Sequence, residues 1–211
     1  MKNQQKQKSI RTSLAVVLVL IGLGLTSSGT GWAQAPPIFL PLVMREAVGP
    51  GPGPVPTFLQ NGGFESGPLA WIEASVQNLL PLTNQTDPVA IPAHSGQWGA
   101  WLCGTVNEIS KVSQQFVLVP AGTPFLTFWV WIDSLAPCGL HTGMVLVNGL
   151  PVDTFNLCTA TNTGGWVKRA VNLTALSGSG INLEFQGNCN TPNETISNLF
   201  LDDVVFAAAA N

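Results

Sequence analysis

The chain has 211 residues, of which 45% are hydrophobic and only 9% charged, with 22 Gly and 16 Pro. About 25% charged is usual for a globular domain, so this balance points away from helix bundles and towards an all-β protein of the extracellular kind. The formal net charge of −3 hides an acidic body: from Thr57 onward Lys111, Lys168 and Arg169 face ten acids (Glu65, Glu73, Asp87, Glu108, Asp133, Asp153, Glu184, Glu194, Asp202 and Asp203), a balance of −7. No basic stripe remains, which excludes binding to nucleic acid or to an anionic membrane surface.

Met1 to Ser13 is polar and basic (Lys2, Lys6, Lys8, Arg11), Leu14 to Leu25 is apolar, and small residues follow up to Ala33-Gln34-Ala35. This layout predicts a secretory signal peptide over 1–35, cleaved after Ala35. The apolar run has 12 residues, short of the roughly 18 needed to span a bilayer, so no membrane insertion is expected after cleavage. Residues 36–56 read as a linker. They hold a proline-broken apolar run and the stretch VGPGPGPVP, which favours an extended tether. A domain is expected over 57–206, followed by a disordered tail over 207–211.

The domain opens on Asn61-Gly62-Gly63-Phe64-Glu65. This reads as a tight glycine turn that delivers Phe64 to a core and Glu65 to a cation. Strands are predicted at Trp98–Cys103, Glu108–Val119, Phe125–Asp133, Met144–Val147, Val152–Leu157, Trp166–Leu173, Ile181–Gln186 and Leu199–Phe206. FLTFWVWID is the strongest, being rich in β-branched and aromatic residues. Asn148-Gly149 marks a hairpin turn. About nine to ten antiparallel strands at this spacing predict an all-β jelly-roll sandwich.

Four cysteines remain after signal cleavage: Cys103, Cys138, Cys158 and Cys189. An even number in an oxidising compartment predicts two disulfides out of three possible pairings. If Asn148 faces Pro151 in the hairpin, His141 lies opposite Cys158 and Cys138 is near the same open end. That favours Cys138–Cys158 and leaves Cys103–Cys189.

In order, NGGFE, Trp71, Ala93-His94-Ser95-Gly96, LTFWVWI, Val147-Asn148-Gly149, Gly165-Trp166, INLEF and Leu201-Asp202-Asp203-Val204 resemble the galactose-binding-like jelly rolls. The family 4 and 9 carbohydrate-binding modules of secreted bacterial proteins are the nearest in pattern, over nearly all of 57–206. The resemblance implies a non-catalytic module that binds polysaccharide or a cell-surface glycan. It also implies a structural calcium where the two ends of the domain meet. Carried over by position, Glu65 and Asp202 supply carboxylates, and Asn61 and Ser95 lie in the matching segments. Calcium takes 6–8 oxygen ligands in a tolerant geometry.

For the ligand, Trp129 and Trp131 share one face of the FLTFWVWID strand. They either line a concave platform on which sugar rings stack or lie beneath loops as core. Trp98 and Trp101 fall on opposite faces of their strand, so one belongs to the core. The absence of tyrosine speaks for a second reading, a structural or adhesive cell-surface module without a sugar ligand. No GxSxG, HExxH or P-loop pattern occurs, and no pair of acids stands out for glycoside hydrolysis, so an enzyme is not expected. The sequons at Asn84, Asn172 and Asn193 mark surface.

Overall fold

A computed structural model describes residues 55–85, 91–191 and 195–210. The signal peptide, nearly all of the linker, and the sequon at Asn193 lie outside the described residues. Ten strands form: β1 (Ile72–Ser75), β2 (Thr83–Gln85), β3 (Trp98–Cys103), β4 (Glu108–Leu118), β5 (Phe125–Ser134), β6 (Thr142–Val147), β7 (Leu150–Asn156), β8 (Val167–Asn172), β9 (Gly180–Cys189) and β10 (Ser197–Ala207). Described helix is limited to the short 3-10 turns Thr159–Thr161 and Thr174–Leu176. The strands make two five-stranded sheets, ordered β1-β4-β9-β6-β7 and β2-β3-β10-β5-β8. All strand pairs are antiparallel.

Alternation sets the faces. Leu126, Phe128, Val130 and Ile132 of β5 point to the core, as do Ile181, Leu183 and Phe185 of β9. The two sheets meet through Phe128 and Phe185, whose rings pack edge to face at 5.0 Å. Phe64 is fully buried and stacks on Trp71 at 5.0 Å, so the opening turn seats an aromatic pair in the core as expected. The indole N–H of Trp71 donates to the carbonyl of Asn61 at 2.9 Å and ties the pair back to that turn.

Both open sides of the sandwich are closed by charge. Arg169 on β8 forks onto Asp153 on β7 with contacts of 2.8–3.0 Å and lays its guanidinium carbon 4.2 Å from the Phe155 ring centroid. On the other side Glu73 of β1 accepts the peptide N–H groups of Leu82 and Thr83 at 2.9 and 2.8 Å and the Thr83 hydroxyl. Disulfides join Cys103 to Cys189 and Cys138 to Cys158. The first links one sheet to the other, from β3 to β9.

The hairpin register differs from the expected one. Val147 faces Leu150 and Leu146 faces Pro151, so Asn148-Gly149 is a two-residue turn, and a bulge between Val145 and Leu146 shifts the rest. His141 therefore pairs with Leu157, whose N–H it accepts at 2.9 Å, one residue from Cys158. The disulfide survives this shift because both cysteines lie in the loops beyond the strands. His141 is fully buried there, bonded to Ser197 Oγ at 2.8 Å and Thr191 Oγ1 at 2.9 Å, and burial pulls its pKa below the usual histidine value.

The chain enters this body beside β4, where Thr57 bridges Val117. It leaves at Ala207, which pairs with Phe125.

Candidate functional site: an aromatic face bounded by two loops

β10 carries a bulge. Its register against β5 passes from Asp202–Trp129 to Val205–Thr127, and the extra residue, Asp203, has a φ of +46°. Bulges re-aim side chains. Here both acids meet the segment 91–98. Asp202 Oδ2 accepts the peptide N–H groups of His94 (2.9 Å) and Ser95 (3.2 Å), and its Oδ1 takes the Asp203 N–H at 2.7 Å. Asp203 takes the Ser95 hydroxyl at 2.8 Å and meets His94 Nδ1 at 2.6 Å. Glu65 holds the same segment from the other end, accepting the N–H of Gln97 at 3.0 and 3.2 Å and of Trp98 at 3.0 Å. Gly96 lies between these anchors with a φ of +60°, and a Cβ there would sit 2.3 Å from the Glu65 carboxyl carbon.

The two ends of the domain are thus clipped together, by peptide N–H groups of one loop. The four residues expected to hold calcium, Glu65, Asp202, Asn61 and Ser95, are all near this clip. Their donor set does not fit a cation. Each carboxylate faces N–H donors, and the two carboxylates bind different peptide groups. Asn61 turns its Nδ2 to the carbonyls of Gly67 and Leu69, both at 2.9 Å, while its Oδ1 takes the N–H of Ser66 at 3.0 Å. Ser95 Oγ is committed to Asp203. Calcium prefers converging oxygen lone pairs, and here N–H groups take their place. Among the described residues no group of three or more His, Cys, Asp or Glu is arranged to hold a metal ion. Asp202 is fully buried, and that burial pushes its carboxyl up to about 6 from 3.8. The nearby charge of Asp203 adds to the rise, and the three peptide N–H groups oppose it.

The loop continues into an aromatic surface on the outer face of the β2-β3-β10-β5-β8 sheet. Register places Trp101 beside Phe200 and Phe200 beside Trp131. Trp101 and Phe200 stack at 5.6 Å with 21° between planes, and Trp131 meets Trp166 edge to face at 6.2 Å. Strands lie about 4.8 Å apart, so this row crosses roughly 15 Å of sheet. Trp101 is 42% exposed, and Phe200, Trp131 and Trp166 are half-buried. Trp101 donates its indole N–H to Asn198 Oδ1 at 3.0 Å, and Asn198 bonds the Asp133 carbonyl at 3.3 Å, which lines the row with polar groups.

Of the two tryptophans expected to bind ligand, Trp131 belongs to this open row. Trp129 is half-buried and covered by His94, which stacks on it at 3.8 Å with 17° between planes. Its ring face is occupied by protein, because the clip presses the loop down on it. Trp166 bonds the Pro92 carbonyl at 3.0 Å and touches His94 edge to face, so it borders both row and loop. Strand alternation left open which of Trp98 and Trp101 is core. Trp98 packs against the core, and Trp101 is the exposed head of the row.

No family model matches the chain, and no curated protein matches it. Solved structures do. The K1 cleaved adhesin domain of Lys-gingipain from Porphyromonas gingivalis W83 matches with a TM-score of 0.50 and 13% identity, covering 67% of this chain and 92% of that one. TmCBM61, solved in complex with beta-1,4-galactotriose, has a TM-score of 0.49 and 17% identity, covering 70% and 94%. A cyclase from Fischerella sp. TAU has 0.44 and 16%, covering 71% and 94%. At these identities the likeness reaches the fold alone, and a fold does not fix a function. The chain has the jelly-roll sandwich fold that its motifs resemble, and its function has to be argued from the side chains on its faces.

Proposed function

We propose that the chain is a secreted, non-catalytic carbohydrate-binding module whose ligand lies along the row Trp101, Phe200, Trp131 and Trp166. The observation that carries this reading is the row itself. Four large aromatic rings outside the core, carried by β3, β10, β5 and the residue before β8 and edged by Asn198 and Asp133, make a contiguous apolar patch of the kind that marks a binding surface. A sugar chain suits the surface. The C–H faces of its rings pack on aromatic rings while its hydroxyls bond amides and carboxylates. Segment 91–98 borders the row at Trp166, which bonds the Pro92 carbonyl and touches His94 edge to face. Two disulfides and an acidic body are in keeping with an extracellular setting, and among the described residues no helix is long and apolar enough to cross a membrane.

Affinity electrophoresis against a panel of neutral polysaccharides, followed by calorimetry on those that retard the protein, tests the proposal. Trp131→Ala should weaken binding at least about tenfold, the scale of losing a central aromatic contact, with little change in melting temperature. Retardation by none of the polysaccharides would favour the adhesive reading.

A further inference from the structure

At the Trp101 end the aromatic row opens into a pocket of ≈ 320 Å³. One wall is the run Leu79-Leu80-Pro81-Leu82, the other is Trp101, and Asn84 contributes an amide. Phe200 stacks on Trp101 and does not line the pocket, so Trp101 stands between row and pocket. The volume lies at the small end of small-molecule sites, which span about 300–1,000 Å³. The wall is held in place before any ligand arrives. Leu79 donates its N–H to Ser75 Oγ at 2.9 Å, Leu82 donates to Glu73 Oε2 at 2.9 Å, and the Leu82 carbonyl takes the Trp101 N–H at 2.9 Å. Gly104, with a φ of +83°, allows the indole to lie close. A Cβ there would come within 2.9 Å of Trp101 Cε2 and Cζ2.

The chemistry of the lining selects the occupant. A bare sugar ring would press hydroxyls against leucine and proline, and each hydroxyl stripped of water without a partner is costly. Among the described residues no lining side chain carries a charge, so a uronate or sulfated sugar finds no counter-ion. An occupant that fits has an apolar methyl for the leucine wall and a neutral carbonyl or amide for Asn84. Towards the described residues the Asn84 side chain makes a single long bond, 3.5 Å from Nδ2 to the Leu82 carbonyl, which a ligand group can replace at little loss. An acetyl group has both parts.

Resting on the carbohydrate-binding reading above, we infer that this pocket takes an acetylated sugar residue where a bound chain runs past Trp101, making the protein selective for N-acetylated or O-acetylated glycans. Calorimetry on the full chain with two matched pairs of probes tests it. The pairs are tri-N-acetylchitotriose against cellotriose, and O-acetylated xylo-oligosaccharides against the same material after alkaline deacetylation. In one pair or the other the acetylated member should bind about tenfold tighter or more, and the pair that shows it identifies the linkage. Leu80, 48% exposed, can be replaced without opening the core. Leu80→Ser and Asn84→Ala should each erase the difference within the pair, whereas Trp131→Ala should weaken both members alike. Equal affinities within both pairs, or a preference that Leu80→Ser leaves intact, would overturn the pocket assignment and leave the aromatic row standing. So would binding of a panel polysaccharide by a protein that takes up neither acetylated probe. Binding of no glycan at all would remove both.

Discussion

Replacing Gly96 by Ala probes the clip that shapes the aromatic face. The new methyl carbon would stand 2.3 Å from both Cδ and Oε1 of Glu65 and 2.6 Å from Oε2, so the carboxylate has to leave its seat. Two effects then add. An alanine held at a φ of +60° costs about 1–2 kcal/mol. The charged hydrogen bonds from Gln97 and Trp98 are worth about 1.5–3 kcal/mol each, and at least one is lost. The total is about 2.5–5 kcal/mol. At about 2–4 °C per kcal/mol for a domain of this size, the melting temperature should fall by roughly 10 °C. The assay is thermal unfolding followed by circular dichroism, with tryptophan fluorescence reporting whether His94 still covers Trp129. Each variant is run with added calcium and with excess chelator. Wild type should melt at the same temperature in both buffers, because peptide N–H groups hold the acids. A Gly96→Ala protein that melts within about 2 °C of wild type would refute the packing argument. A chelator-induced drop in wild type that disappears in Glu65→Gln would refute the hydrogen-bond account and restore calcium to the clip.

Four further outcomes are expected. Opening the Cys103–Cys189 bridge, whose ends are 86 residues apart, by a double Cys→Ser change should cost about 4–5 kcal/mol by loop-closure entropy, read from denaturant midpoints. For Asp202, a folded pKa near 6 against an ordinary 3.8 means that the native state binds its proton more tightly than the unfolded chain. Its contribution is complete below pH 3.8 and is lost as the pH rises through 6. The stability of wild type relative to Asp202→Asn should therefore increase from pH 7 to pH 4 by up to about 3 kcal/mol; a decrease would mean that the ionised carboxylate is the stabilised form. His141 works the other way, since its depressed pKa supplies stability above pH 6.5 that drains away as the pH falls below that value, and replacing it by Asn should flatten the acid side of the profile. Trp129→Ala should lower the melting temperature by removing the seat of His94, while Trp131→Ala should chiefly lower polysaccharide affinity.

The long strands were legible because their side chains alternate or run apolar, and β3 matches its predicted bounds at both ends. β1 and β2 were not. IEAS and TNQ are short and mostly polar, with no run of period two, and they become strands only by pairing with β4 and β3. Register was less legible than existence. The hairpin pairing slipped because Asn148-Gly149 itself forms the turn, and the bulge at Val145/Leu146 takes back part of that slip; on β10 a bulge adds one residue that alternation does not announce, which is why Asp202 and Asp203 both end up beneath one loop. The acids of the clip could be picked from the sequence, but their partners could not, since backbone N–H groups carry no residue signature. The same limit applies to the pocket. Leu79-Leu80-Pro81-Leu82 is an apolar run like others in the chain, and only the fold places it opposite Trp101.

The points where the polypeptide joins and quits the sandwich are near one another. Thr57 sits on the last part of β4 and Ala207 on the first residue of β5, two strands separated by a short connection. Neighbouring entry and exit points are the geometry that lets a compact body sit in a surface loop of a host chain without stretching it.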